Sequence, residues 1–168
     1  MSTENLNQKE AIETLKKLSE SARICMFCTE LDKLPNSSRP MSLKETDEHG
    51  NLWFISSDQS HKNFEIQKDN RVQLYFMNNG NSEYLSILGK AFIYKDKQTI
   101  EDKWSAMANA WFDGKDDPNV SIIRVTPDET YYWEPKAGKF VSMLHFATAA
   151  LTGTKSDNDD GREGTLNV

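Results

Sequence analysis

Residues 71–95 constrain the fold of this chain more than any other stretch. From 71 to 77, Val72, Leu74 and Phe76 alternate with Gln73, Tyr75 and Met77, the period-two pattern of a strand with one buried face. Asn79-Gly80 follows, a strong turn signal between two strands. Residues 83–95 resume the strand pattern. Leu85, Ile87, Ala91 and Ile93 fall on one face, and Gly89 stands where a bend or bulge would fit. The expectation is an antiparallel hairpin with two-sided strands.

The remaining segments extend that theme. Residues 7–21 read as an amphipathic helix, with Ala11, Ile12, Leu15, Leu18 and Ala22 at helical spacing. Residues 23–29 read as a strand carrying Ile24, Met26 and Cys28 on one face. Two strands, 38–44 and 51–57, are expected to pair across Asp47-Glu48-His49-Gly50, which would set Arg39 and Met41 beside Ile55, Ser56 and Ser57. A short helix then runs from Ser60, its N-cap, to about Lys68. A second helix is read over 97–112, with Trp104, Met107 and Trp111 as its apolar stripe. Two strands follow at 120–125 and 129–134, and a last helix at 139–150. Hairpins with segregated helices argue for an α+β protein built on a small antiparallel barrel. Residues 1–152 are read as one domain and 153–168 as an acidic, flexible tail.

Several function classes lose support at this stage. A net charge of −6 and a pI of about 5.1 give a nucleic-acid surface no electrostatic basis. The N-terminus lacks a basic start and an apolar run, and no segment has the roughly 18 apolar residues of a membrane span. The expected location is the cytoplasm. Cys25 and Cys28 form a C-x-x-C, but on a strand an i,i+3 pair points to opposite faces. They are read as buried or half-buried reduced thiols, and no metal site is expected. Asp157-Asn158-Asp159-Asp160-Gly161 lacks the glycine position and closing glutamate of a calcium loop. No G-x-S-x-G, G-x-G-x-x-G or G-x-x-x-x-G-K is present.

What remains is chemistry around the short helix. A terminal phosphate calls for charge-assisted donors, and a helix N-terminus adds amides and a favourable dipole. Ser60-His61-Lys62 stands at such a terminus, and Arg39 is within reach on the expected neighbouring strand. Met41, Tyr84, Trp111 and Trp133 are candidate walls for a planar ring, against the ordinary alternative of core packing.

The order of these motifs carries a resemblance. Arg39-Pro40-Met41, Trp53-Phe54-Ile55 leading to Ser60-His61-Lys62, the Gly89 strand, residues 110–118, and Arg124-Val125-Thr126-Pro127 leading to Tyr132-Trp133 span roughly residues 6–152. In this order they resemble the general stress protein 26 group of the pyridoxamine 5'-phosphate oxidase-like FMN-binding split barrels. The resemblance implies a homodimer with FMN at the subunit interface. It implies that Arg39, Pro40, Met41 and Ser42 run along the flavin ring and ribityl chain. Ile55, Ser56 and Ser57 would line the facing strand, Ser60 and Lys62 would hold the phosphate, and Tyr84, Ser86 and Trp111 would complete the walls, some from the partner subunit. It points to an FMN-dependent oxidoreductase with no assigned catalytic side chain. A non-catalytic flavin-binding stress module, or a barrel using a deazaflavin or haem, stays open. True pyridoxamine phosphate oxidases carry an Arg/His pair for the substrate phosphate after the segment matching Trp133. Here Glu134-Pro135-Lys136-Ala137-Gly138-Lys139 follows, so vitamin B6 oxidation is not expected.

Overall fold

The computed structural model describes residues 2–4, 6, 8–135 and 161–168. In chain order its elements are β1 (Ser2–Thr3), α1 (Gln8–Ala22), β2 (Ile24–Thr29), β3 (Ser37–Ser42), β4 (Glu45–Thr46), β5 (Leu52–Ser57), α2 (His61–Lys68), β6 (Arg71–Asn78), β7 (Glu83–Tyr94), α3 (Lys97–Lys103), a 3-10 turn (Ala106–Ala110), β8 (Val120–Pro135) and β9 (Gly161–Thr165). The strands form one sheet in the order β1-β9-β8-β7-β6-β2-β3. Its helices lie against a curled, mainly antiparallel sheet: an α+β split barrel.

The long strand β8 is the hub. It pairs with β7 over nearly its whole length, with β5 through Val120–Val125, and with β9 through Tyr131–Pro135. The sheet curls around α1, whose Ala11, Leu15 and Leu18 pack on Phe27, Phe54, Leu74, Ile87 and Tyr132. The Phe27 and Phe54 rings meet edge-on at 5.5 Å, a favourable aromatic geometry. A smaller core lies under α3, where Ile100, Val120 and Ile122 meet Trp53, Ile55, Tyr94, Trp104 and Phe112. Among the described residues no helix is long and apolar enough to cross a membrane.

The hairpin of β6 and β7 forms as expected, with the predicted residues of β6 buried. Its partner carries a register shift at Leu88/Gly89, opposite Pro127 and Glu129 of β8. A Cβ on Gly89 would stand 2.5 Å from the Thr126 carbonyl oxygen, so the two backbones approach as only glycine allows. Gly89→Ala is therefore expected to lose about 1–3 kcal/mol of stability, the usual cost of overpacking. Urea unfolding midpoints would read the loss.

Five readings need correction. Of residues 38–44, only Lys44 bonds to the 51–57 backbone, its N–H donating to the Trp53 carbonyl at 2.8 Å. Strand β3 turns away to β2, placing Arg39 opposite Phe27 and Met41 opposite Cys25, and only the short β4 pairs with β5. In β2 the core face is Cys25 and Phe27, while Ile24 is 56% exposed. The expected helix over 97–112 stops at Lys103, and after Trp104-Ser105 only a 3-10 turn follows. Residues 120–134 form one strand, because the Pro127-Asp128 segment is absorbed as a bulge rather than a turn. Finally, the end of the expected tail is a strand: β9 pairs with β8 and β1. The helix read at 139–150 lies outside the described residues.

The two thiols are free and buried. Burial, with Cys28 beside it, pushes the Cys25 thiol up to about 12, far from the thiolate that redox or metal chemistry needs.

Candidate functional site

Helix α2 is the joint that gathers the candidate phosphate residues. Ser60 precedes it in extended conformation at φ −73°, ψ 145°, the geometry of an N-cap, although its hydroxyl makes no capping bond to the backbone. Instead Ser60 Oγ donates to Asn63 Oδ1 at 3.1 Å and accepts from Lys62 Nζ at 3.0 Å. Ser56 Oγ also donates to Asn63 Oδ1, at 3.0 Å. Asn63 Nδ2 donates to Ser121 Oγ at 2.9 Å, and Ser121 Oγ donates to the Ser56 carbonyl. This buried network locks the start of α2 onto β5 and β8. Asn63 was not among the residues expected from sequence, and its signal was an amide three positions before Ile66 on the helix's buried face.

Lys62 is half-buried, and its ammonium bonds to the Ser60 hydroxyl with no carboxylate partner among the described residues. Burial and then the neighbouring Arg39 charge push its pKa down, against a smaller opposing pull from Glu65. The first-turn amide of Asn63 already donates to the Ser60 carbonyl at 3.0 Å, and those of His61 and Lys62 are the donors that a helix start leaves without an intrahelical acceptor.

Arg39 belongs to a different, closed arrangement. Its Nη1 donates to Thr29 Oγ1 at 2.7 Å, and its Nη2 donates to Glu65 Oε2 at 2.7 Å and to Ser37 Oγ. Thr29 and Ser37 also donate to Glu65, at 2.6 and 3.0 Å. The charge of Arg39 is thus matched by Glu65, leaving Lys62 as the unmatched cation of the pair. Burial alone would raise the Glu65 carboxyl, but the Thr29 and Ser37 hydroxyls and the Arg39 guanidinium outweigh it and hold the carboxyl below the usual carboxylate range. A depressed folded-state value means that this stability is present above the ordinary glutamate range and is lost as pH falls through it. Acid unfolding is expected to set in below about pH 4 and to flatten in Glu65→Gln, with CD-monitored acid titration as the measurement.

The other expected residues divide in two. Pro40 and Ser42 are exposed on β3, the end strand of the sheet path, and Met41 packs partly into the main core. Ile55 belongs to the small core under α3, and Ser57 pairs with Val120. Tyr84 and Ser86 lie on the outward face of β7, not in the α2 cluster. Tyr84 is 38% exposed between Met77 and Trp133, and Ser86 accepts from Gln73 Nε2 at 3.0 Å. Trp111 is 74% exposed just after the 3-10 turn. Together with Ile24, Tyr75 and Met77, these residues leave much apolar surface facing outward. Among the described residues no cluster could hold a metal ion.

The chain is similar to several known proteins. The family described as "Pyridoxamine 5'-phosphate oxidase like" matches residues 10–157. General stress protein 26 of Bacillus subtilis is 32% identical over 81 residues, 46% of this chain and 58% of that protein. Protein bli-3 of Neurospora crassa is 28% identical over 136 residues, 75% of this chain and 65% of that protein. The matches thus cover less than two thirds of either relative's length. Among solved structures, a general stress protein 26 from Jannaschia sp. CCS1 superposes with TM-score 0.70 at 24% identity, covering 94% of this chain and 95% of the other. A general stress FMN/FAD binding protein from Xanthomonas citri superposes with TM-score 0.64 at 25% identity, covering 76% of this chain and 90% of the other.

Proposed function

The chain belongs to the pyridoxamine 5'-phosphate oxidase-like family, and from that premise we propose that it is an FMN-binding flavoprotein acting as an oxidoreductase. The observation that carries the proposal is Lys62: a half-buried ammonium at a helix start, bonded to the Ser60 hydroxyl and in no ion pair among the described residues. A phosphate monoester supplies the charge this donor set lacks. Lys62, Ser60 and the first amides of α2 would hold it. Arg39, fixed by Glu65, would shape the site and add a cationic field. The exposed end strand β3, with Pro40, Met41 and Ser42, would run beside the ribityl chain and ring, facing Ile55, Ser56 and Ser57.

Bound FMN would contribute hydride or electron transfer at its ring system. The chain's own groups bind the phosphate, orient the ring and keep water from one of its faces. No side chain is assigned a proton-transfer role.

The outward apolar residues support a homodimer. Tyr84, Ser86 and Trp111 do not reach the α2 cluster within one subunit, and a second copy laid on this face would bring its own set toward the partner's flavin. Ile24, Tyr75 and Met77 would be covered in the same step. The cytoplasm is the proposed location. Vitamin B6 oxidation is not proposed. The segment after Trp133 begins with Glu134, 5% exposed and paired with Lys17 and Arg162, and 134–139 lacks the Arg/His pair by sequence.

Turnover distinguishes an oxidoreductase from a non-catalytic flavin module. The FMN-loaded dimer should be bleached by NADPH, NADH or another two-electron donor and recoloured by an acceptor over many cycles. Reduction by every donor no faster than that of free FMN would favour the storage reading.

A further inference from the structure

Across strands β4, β5, β8 and β7, one row of residues sits opposite one another: Glu45, Trp53, Arg124 and Phe92. Directly opposed residues share a face, so these four side chains emerge together on the side of the sheet covered in part by α3. The Arg124 guanidinium centre lies 5.1 Å from the Phe92 ring centroid, 5.3 Å from Tyr94 and 6.0 Å from Trp53. The Trp53 ring is itself fixed, its Nε1 donating to Asp47 Oδ2 at 2.8 Å. Three aromatic faces therefore hold one guanidinium.

Its charge is unanswered. Arg124 Nε is buried and has no acceptor, while the residue as a whole is only half-buried, so the open part is the terminal fork. Three cations on the adjoining elements are matched: Lys103 by Glu45, Lys95 by Asp58 and Lys90 by Asp128. Glu45, the acid in the Arg124 row, is thus already taken by Lys103, whose ammonium also stands 4.3 Å over the Trp53 ring. Among the described residues no carboxylate pairs with Arg124.

An arginine stays charged at any physiological pH, and its planar fork matches a carboxylate through two parallel hydrogen bonds. Aromatic faces stabilise the cation and also offer apolar surface to whatever sits on it. Phe92 is 37% exposed and forms the open side of this shelf. We propose that Arg124, framed by Trp53, Phe92 and Tyr94, is a binding site for a small carboxylate with an aromatic or apolar body. The site is separate from Lys62 and does not depend on flavin binding.

The probe is benzoate, titrated calorimetrically into the full chain beside acetate and inorganic phosphate. The Nε–H resonance of Arg124, sheltered from exchange by its burial, is followed by NMR in the same titration. Benzoate is expected to saturate one site per chain, to shift that resonance, and to bind at least about tenfold more tightly than acetate or phosphate, a gap of one decade in Kd. Arg124→Met, which keeps the packing and removes the fork, should weaken benzoate about tenfold or more. Arg124→Lys, which keeps the charge without the fork, should recover little of it. The proposal is overturned if benzoate does not saturate, if the Nε–H signal stays unmoved while benzoate binds, if phosphate binds as tightly, or if both variants bind benzoate like the parent. If Arg124→Met does not fold, the resonance shift and Arg124→Lys still decide.

Discussion

Lys62→Ala is expected to weaken FMN binding by roughly ten- to a hundredfold, while leaving riboflavin affinity nearly unchanged. The estimate follows from deleting one charge-assisted hydrogen bond, worth about 1.5–3 kcal/mol. Riboflavin serves as the control because it shares the ring and ribityl chain and lacks the phosphate. The same substitution should not harm the fold. Burial and the Arg39 charge both disfavour the Lys62 ammonium, so its removal relieves a cost in the free protein. Loss of affinity with unchanged or raised Tm is the signature of a residue kept for a ligand rather than for stability. An unchanged FMN dissociation constant in Lys62→Ala would remove the phosphate assignment.

Arg39→Ala should behave in the opposite way, with its main effect on stability. It strands Glu65, whose side chain is only 16% exposed, together with the Thr29 and Ser37 hydroxyls organised around the pair. Breaking such a pair from one side costs about 3 kcal/mol, the lower end of the range because neither side chain is wholly buried. Chemical denaturation should show the loss, and replacing both members with apolar residues, Arg39→Met with Glu65→Met, should recover most of it. A double variant at Arg39 and Lys62 therefore mixes two effects. Sequence reasoning treats these cations as equivalent, but the structure separates them by what each already touches.

That contrast shows what the sequence could and could not convey. Alternation in β6 and β7, the Asn79-Gly80 turn and the apolar stripe of α1 are local signals, and each element formed where its pattern pointed. Pairing is not local. The 38–44 and 51–57 segments look like a hairpin, yet β3 joins β2, and the backbone link between the two segments is at their far end, where Lys44 N–H donates to the Trp53 carbonyl. Pro127 reads as a strand breaker, but a bulge facing Gly89 accommodates it within β8. Within the site, the residue types were legible from the phosphate chemistry they suit. The identity of Glu65 as the partner of Arg39, and of Asn63 as the anchor of Ser56 and Ser60, was not. Both depend on how α2 is rolled against β2, β5 and β8, which no spacing along the chain encodes.

The most direct measurement is a fluorescence titration of the purified, flavin-free chain with FMN and with riboflavin under identical conditions. Saturable quenching of FMN, one per chain, with affinity at least about tenfold above riboflavin, is the predicted result, since the phosphate contacts add about one to two decades in Kd. Equal affinity for the two flavins, or no binding of FMN, would contradict the account.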